Sequence, residues 1–203
     1  MTSSYLRITG PKLLIGEGVE EKRFFAALLR HLDRTDVQVE EYGGKDGLSR
    51  FLEALPKIPG YSGLAVLGIT RDADKSRRDA NESVREAIRR AKLEDPDLPE
   101  GSRIKRLRIH VFILPDDATD GMLEDLCLQS VGDDAAMPCV DEFLHCVSQR
   151  AKRYPSNEAK ARVHAWLSSQ RVPDKRLGEA AEAGYWRFDH PAFDALKSFI
   201  RSL

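Results

Sequence analysis

The sequence predicts an α/β fold: a mostly parallel four-stranded sheet flanked by helices, with a helical C-terminal extension. Four short apolar runs, at 12–16, 36–42, 63–69 and 104–114, have the length and composition of strands. Segments with apolar residues at helical spacing separate them, and an alternation of strand and helix is typical of a parallel sheet. After Gly121 the pattern is helical.

The first half of the sheet is predicted from short local patterns. The run at 12–16 is apolar and ends at a glycine, as a buried strand does before a turn. In 20–32, phenylalanine and leucine recur at helical spacing, which predicts an amphipathic helix. Segment 36–42 alternates valine with polar residues, which is typical of a half-buried strand, and two glycines follow it. A short helix at 47–55 is closed by prolines.

The second half contains the most apolar segment of the chain, at 63–69, which predicts a central strand covered on both faces. A charged helix at 76–93 follows, and then a strand at 104–114 in which alternate residues are apolar. Further helices are predicted at 122–129, 140–151, 158–169 and 191–202. We expect residues 1–130 to form the α/β domain and residues 131–203 to form a helical extension packed on it.

Composition and charge argue against several classes of protein. The 203 residues include 32 Lys and Arg against 33 Asp and Glu, and the formal net charge of -1 argues against a generally basic nucleic-acid binder. No apolar stretch approaches the roughly 20 residues of a membrane span, and no secretory signal is visible at the start. The three cysteines, Cys127, Cys139 and Cys146, form no CxxC pair, so we expect reduced thiols in a cytoplasmic protein.

Acidic residues follow three of the predicted strands. Glu17 closes the first strand, with Glu21 one helical turn later; Asp72 and Asp74 follow the third strand; Glu124 lies beyond the fourth. The carboxyl ends of parallel strands meet at one edge of a sheet, where ligands bind. Carboxylates gathered there repel one another unless a cation such as Mg²⁺ or Mn²⁺ lies between them. Residues two apart on an extended chain point the same way, so we expect Asp72 and Asp74 to face one ion or two adjacent ions.

The run Leu14-Ile-Gly-Glu17-Gly-Val-Glu-Glu21, followed by the apolar strand with Asp72-x-Asp74, resembles a Toprim domain. That domain is the catalytic fold shared by topoisomerases, bacterial primases and the overcoming-lysogenisation-defect nucleases. The resemblance implies a Toprim-like sheet in which Glu17, Asp72 and Asp74 hold Mg²⁺ against a nucleic-acid phosphodiester. It covers most of the chain, and its sharpest motifs lie in the N-terminal part.

The nuclease branch of that family adds further expectations. There, an acid four residues after the first glutamate, a later glutamate and a lysine complete the site, at positions that Glu21, Glu124 and Lys160 match. The regions around Glu124 and Lys160, and the tail at 184–191, are similar to small stand-alone Toprim-like proteins. The larger nucleases also carry a fused ATPase segment that is not seen in this sequence, so a protein partner such as an ATPase is an expectation.

The chemistry that the resemblance implies is metal-dependent cleavage of a phosphodiester in DNA or RNA. Two metal ions about 3.5–4 Å apart activate the water, neutralise a non-bridging oxygen and stabilise the leaving oxygen. With one ion only, Glu17 would act instead as general acid or base, with a pKa raised by its acidic neighbours. Lys160 would place positive charge beside the scissile phosphate. The expected catalytic residues are therefore Glu17 and Lys160.

Basic residues around the acidic pair are the predicted contacts to nucleic acid. Lys75, Arg77 and Arg78 follow the pair directly, and a phosphate backbone binds such side chains. Arg71, immediately before the pair, would contact a phosphate or offset the local negative charge.

Two other functions remain open at this point. In a haloacid-dehalogenase-like phosphatase, Asp72 would be the nucleophile and Asp74 the acid, but the motif follows the third strand rather than the first and leaves Glu17 without a role. A catalytically silent module would keep the fold and the metal site, and would act as a regulator or effector of another protein.

Overall fold

The structure is a computed structural model that describes residues 6–93, 107–116 and 118–203. Its strands are β1 (Lys12–Gly16), β2 (Gln38–Glu41), β3 (Val66–Asp72) and β4 (Arg108–Leu114). Its helices are α1 (Val19–His31), α2 (Gly47–Ala54), α3 (Arg77–Arg90), α4 (Leu123–Ser130), α5 (Met137–Ala151), α6 (Glu158–Ser168), α7 (Leu177–Glu182) and α8 (Asp194–Ser202). Short 3₁₀ turns lie at Leu55–Lys57, Tyr61–Gly63 and Pro191–Phe193.

The four strands form one sheet in the order β2–β1–β3–β4, and every neighbouring pair is parallel. Leu14 of β1 pairs with Val39 of β2 on one side and with Gly68 of β3 on the other. Each connection between successive strands contains a helix, because parallel strands need a long crossover. The predicted α/β fold, with a parallel four-stranded sheet, flanking helices and a C-terminal helix, is confirmed.

Helices cover both faces of the sheet because successive strand residues point to opposite faces. Leu13 and Ile15 of β1 pack with α2 and α3, whereas Leu14 packs with α1 and the C-terminal helices. In that second layer Trp166 and Trp186 stack with ring centroids 4.9 Å apart. Burial on both faces explains why the inner strands are apolar without interruption in the sequence.

The third strand ends later than its apolar residues predict. It starts inside the predicted segment but continues to Asp72, beyond the predicted end at residue 69. The polar residue Thr70 fits there because its hydroxyl donates to the Ile15 carbonyl oxygen at 3.0 Å. Residues 104–106 of the predicted fourth strand lie outside the described residues.

The C-terminal half contains one helix that the sequence did not predict. Helix α7 was missed because Leu-Gly-Glu-Ala-Ala-Glu contains no repeating stripe of large apolar residues. The predicted helix at 191–202 is a 3₁₀ turn followed by α8, and α5 starts at Met137 rather than at residue 140. The division into residues 1–130 and 131–203 stays a prediction.

The described helices are short. The longest of them, α5, has 15 residues. None of the helices within the described ranges combines the length and the apolar composition that a bilayer crossing requires, which agrees with the expectation of no membrane span.

Helix α7 approaches the backbone of α1 closely at Gly178. Its N–H donates to Glu20 Oε2 at 2.8 Å, and Arg23 Nη1 donates to Glu179 Oε1 at 2.6 Å. A Cβ atom on Gly178 would lie 2.6 Å from the Glu20 carbonyl oxygen and 2.7 Å from the Arg23 Cβ. The two helices can therefore meet in this way only if residue 178 has no side chain.

Gly178→Ala is expected to lower the free energy of unfolding by about 1–3 kcal/mol, because the backbone must shift to admit the methyl group. Gly10→Ala is the control, since a Cβ atom at Gly10 would meet nothing within 4 Å. Urea denaturation of both variants measures the difference. Equal stabilities would contradict the close approach of α7 to α1.

Candidate active site

The loop after β1 places two glutamates at the start of α1. Glu17 precedes Gly18, the N-cap of α1. Glu21 Oε2 accepts a hydrogen bond from Gly18 N at 2.9 Å. The Glu17 carbonyl oxygen accepts another, at 2.8 Å, from Gly44 N in the loop after β2. These bonds hold the loop, and with it both glutamates, at the carboxyl edge of the sheet.

Asp72 is the last residue of β3 and connects the sheet to the start of α4. Its Oδ1 accepts a hydrogen bond from Leu123 N at 3.0 Å. A carboxylate is favourable there because the first N–H groups of a helix have no partner within the helix. The preceding Arg71 is buried, with 8% of its surface exposed, and its Nη1 donates to the Lys45 carbonyl oxygen at 3.2 Å.

Asp74 differs from Asp72 in backbone conformation and in charge partner. Its φ is +53°, in the left-handed region, so the chain is not extended through both aspartates. The sequence argument that the two carboxylates share one side assumed an extended chain, and that premise is wrong here. Asp74 N donates to the Gly121 carbonyl oxygen at 2.8 Å, and Asp74 Oδ2 accepts from Lys45 Nζ at 2.7 Å. Lys45 therefore offsets the charge of Asp74.

Glu124 and Lys160 lie opposite each other on α4 and α6. Lys160 Nζ is 3.8 Å from Glu124 Oε1. The N-cap of α6, Asn157, accepts from Lys160 N at 2.9 Å and donates from Nδ2 to Met122 Sδ at 3.2 Å. The two helices thus bring together the late glutamate and the lysine that the sequence singled out.

Asp72 lies within electrostatic reach of three other carboxyl groups. Burial raises the pKa of Asp72 well above its usual range, and the charges of Glu124, Glu21 and Glu17 raise it further. The hydrogen bond from Leu123 N opposes this rise. The ionised form of Asp72 is therefore unfavourable in the folded chain unless positive charge comes near it.

Glu17 and Glu124 share this environment. Burial raises the pKa of Glu17, the charge of Glu21 raises it further, and Arg71 lowers it. Burial also raises the pKa of Glu124, while its own backbone N–H and Lys160 oppose the rise. We refer to the four interacting acids as the carboxyl cluster: Glu17, Glu21, Asp72 and Glu124.

The chemistry of the carboxyl cluster fits a divalent cation. Carboxylate oxygens are the ligands that Mg²⁺ and Mn²⁺ prefer, and a cation would relieve the repulsion among them. Within the described residues, however, no three His, Cys, Asp or Glu side chains are grouped so that they could hold a metal ion as they stand. Ion binding would therefore require these side chains to turn toward one another.

Two cavities border the carboxyl cluster. The larger, of about 670 Å³, lies at the end of β3. Its charged lining residues include Lys45, Arg71, Asp72, Asp74 and Lys75. The smaller, of about 270 Å³, lies where α1, α4, α6 and α7 meet. Its lining residues include Glu21, Glu124, Lys160, His164 and Arg176. Each cavity thus combines acids of the cluster with cationic groups that suit a phosphate.

The four predicted nucleic-acid contacts lie in different places. Arg71 and Lys75 line the larger cavity beside Asp72. Arg77 lines a separate groove between α3 and β4, and Arg78 is exposed in the first turn of α3. Two of the four basic residues therefore border the carboxyl cluster directly.

The comparison with protein families gives one match. The family model DUF3226, described as a protein of unknown function, matches residues 11–203. The chain belongs to the DUF3226 family. Comparisons of this DUF3226 chain with curated proteins and with solved structures found no match. The family match extends from the residue before β1 to the end of the chain, so it includes every residue of the carboxyl cluster.

Sequence reasoning missed two residues of this DUF3226 site. Lys45 pairs with Asp74, and the signal for it was the run Gly43-Gly44-Lys45 directly after a predicted strand. Tyr42 is buried, and its hydroxyl donates to the Thr70 carbonyl oxygen at 3.1 Å. Burial, and then the charge of Glu17, raise the pKa of Tyr42. Nothing in the sequence distinguishes this tyrosine from an ordinary core residue.

The raised pKa of Asp72 predicts a pH-dependent effect on the stability of the metal-free DUF3226 protein. The unfolded chain loses the Asp72 proton at lower pH than the folded chain does, so ionisation opposes folding as the pH rises. Asp72→Asn keeps an oxygen for Leu123 N and is expected to raise the free energy of unfolding at pH 8 by about 1 kcal/mol or more. The gain should shrink toward zero near pH 4. Urea denaturation in EDTA at both pH values measures it.

The control for this prediction is Asp174→Asn, at an exposed position in the turn before α7. It should change stability little at either pH. A loss of stability in Asp72→Asn at pH 8, or a gain of equal size at pH 4, would contradict the unfavourable ionisation of Asp72.

Proposed function

We propose that this DUF3226 chain is a Mg²⁺- or Mn²⁺-dependent nuclease, or a related phosphodiester-transfer enzyme, that acts on DNA or RNA. The observation that carries the proposal is the carboxyl cluster, at the edge of a parallel sheet where ligands of open α/β folds bind. Glu17, Asp72 and Glu124 come from three different parts of the chain, and each has a raised pKa. Partly buried acids with raised pKa values in a crevice are typical of functional sites.

The Toprim resemblance supports the same proposal. In a Toprim-like site the strand-end glutamate and the Asp-x-Asp motif act on one metal centre. In this chain β1 and β3 are neighbouring strands, and Glu17 follows the one while Asp72 ends the other. Their charges interact, as a shared centre requires.

The residues of the carboxyl cluster have distinct parts in the proposed reaction. A bound Mg²⁺ or Mn²⁺ would neutralise the attacked phosphate and activate a water molecule. Glu17, Asp72 and Glu124 would provide oxygen ligands. Glu21 keeps its bond to Gly18 N and so holds the loop that carries Glu17. If a single ion binds, the raised pKa of Glu17 suits it to exchange a proton with the reacting groups.

Cationic side chains around the cluster would bind the substrate phosphates. Lys160 lies 3.8 Å from Glu124 and would stabilise charge that develops on the scissile phosphate. Lys45 occupies Asp74 through a 2.7 Å ion pair. Transfer of Lys45 from this carboxylate to a phosphate would free Asp74 as a further ligand. Arg71 and Lys75, in the larger cavity, would contact the neighbouring phosphates.

A second function, that of a catalytically silent regulatory module for a protein partner such as an ATPase, is favoured by one observation. Among the described residues, no acids are gathered into a ready ligand set. A module that only binds a partner needs no such set. A haloacid-dehalogenase-like phosphatase ranks below both, because a nucleophilic Asp72 would leave Glu17, Glu21 and Glu124 without parts in the reaction.

The proposed enzyme would work in the cytoplasm, where nucleic acid and Mg²⁺ are both present. Its cysteines, Cys127, Cys139 and Cys146, are free thiols, which suits a reducing compartment.

Cleavage assays test the proposed activity. The wild-type protein is expected to cleave a single- or double-stranded DNA or RNA substrate with Mg²⁺ or Mn²⁺ and to lose this activity in EDTA. Asp72→Ala should lower the rate at least 100-fold, because a ligand at the centre of the cluster is lost. Asp174→Asn, on the exposed turn, should retain the wild-type rate. Cleavage that needs no metal and survives Asp72→Ala would overturn the proposal, and no cleavage together with a specific co-purifying partner would favour the regulatory module.

Calorimetric titration with Mn²⁺ tests the metal site apart from the activity. Glu17→Gln is expected to weaken binding at least tenfold, and binding to the wild type should tighten as the pH rises from 5 to 7, because raised-pKa carboxyls must release protons to the solvent. Glu53→Gln, at an exposed position on α2, is the control. Equal affinity of wild type and Glu17→Gln would remove Glu17 from the metal site.

A further inference from the structure

A groove of about 580 Å³ runs between helix α3 and the edge strand β4. One wall carries Arg77, Arg85 and Arg89 of α3. The floor carries Ile109, Val111 and Ile113, which lie at alternate positions and so on one face of β4. The groove therefore has a cationic wall and an apolar floor.

The arginines of this groove form a row along the helix. Arg77, Arg85 and Arg89 span about 18 Å, at 1.5 Å per residue. Arg77 is the first residue of α3, and Asp74 lies in the loop that leads into the helix. The row therefore starts near the carboxyl cluster and leads away from it.

The charge of the groove is of one sign. None of the described residues that line it is acidic. Arg89 forms an exposed ion pair with Glu86, at 2.9 Å between Nη2 and Oε2. Exposed pairs of this kind contribute little free energy, so Arg89 can exchange Glu86 for another anion at small cost. A chain with a net charge of -1 thus has a local surface with a strong preference for anions.

We propose that this groove binds a single strand of nucleic acid on its way to or from the carboxyl cluster, with the phosphates against Arg85 and Arg89 and the sugars and bases against the apolar floor. The assignment rests on the proposed function for the identity of the anion, and on the groove for its location. A regular spacing of cations beside an apolar surface suits the alternation of phosphate and sugar in a single strand. The space between one helix and one strand is too narrow for a duplex.

The salt dependence of binding tests this proposal directly. The dissociation constants of labelled 20-nucleotide oligothymidylate and oligouridylate are measured by fluorescence anisotropy, with wild-type protein in EDTA, between about 20 and 300 mM NaCl. Each phosphate contact that is lost from a single strand lowers the slope of log K against log[salt] by about 0.7. Arg85→Gln and Arg89→Gln are each expected to lower the slope by about this amount, and the double variant by about 1.4. At 100 mM salt each single variant should bind roughly three- to tenfold more weakly.

The control removes one arginine from the opposite side of the sheet. Arg30 is exposed on α1, and Arg30→Gln should keep the wild-type slope. Slopes in Arg85→Gln and Arg89→Gln that equal the slope of Arg30→Gln would overturn the proposal. A polyglutamate of similar length that binds with the same losses in both variants would also overturn it, because the groove would then select acidic chains in general.

Failure of this inference can be distinguished from failure of the proposed function. If the wild type cleaves nucleic acid and the arginine variants keep its slope, the groove assignment is wrong and the nuclease proposal stands. If the wild type binds with the expected slopes but cleaves nothing with Mg²⁺ or Mn²⁺, the groove assignment stands and the nuclease proposal is wrong.

Discussion

Repulsion among partly buried carboxyls at the end of β3 is the constraint on which the site depends. Asp72 ends a strand that is covered on both faces, and its Oδ1 holds the first N–H group of α4. The fold therefore keeps a carboxyl group in a place where burial and three neighbouring acids oppose its charge. Such a group needs either a proton or a nearby cation, so in the proposed enzyme protons and metal ions compete for the same oxygens.

The helices after β4 form part of the site as well as the core. Helix α4 supplies Glu124 and the N–H group that binds Asp72, and α6 supplies Lys160. Helix α7 supports the first turn of α1 because Gly178 N binds Glu20, the neighbour of Glu21. Displacement of any of these helices would therefore change the charges around Asp72 as well as the packing.

The sequence predicted the sheet and most of the carboxyl cluster because both follow from simple patterns. Apolar runs mark strands that are buried on both faces, and the acid after each run lies at the carboxyl edge. The pairing of Asp74 with Lys45 was not predictable, because it depends on a left-handed backbone at Asp74 and on a loop that the chain brings back from β2. Arg71 similarly reads as a surface charge in sequence, yet it is buried because β3 continues past its apolar residues.

The separation of charge in this molecule explains how a weakly acidic chain would handle a polyanion. Acids lie at the ends of β1 and β3, and arginines lie along α3, which begins directly after the β3 loop. A net charge of -1 averages these two regions and so describes neither. In the proposed enzyme the acids depend on a divalent cation, whereas the arginines depend on ionic strength. Metal and salt therefore act on different residues, and substrate can bind through α3 before the carboxyl cluster is able to react.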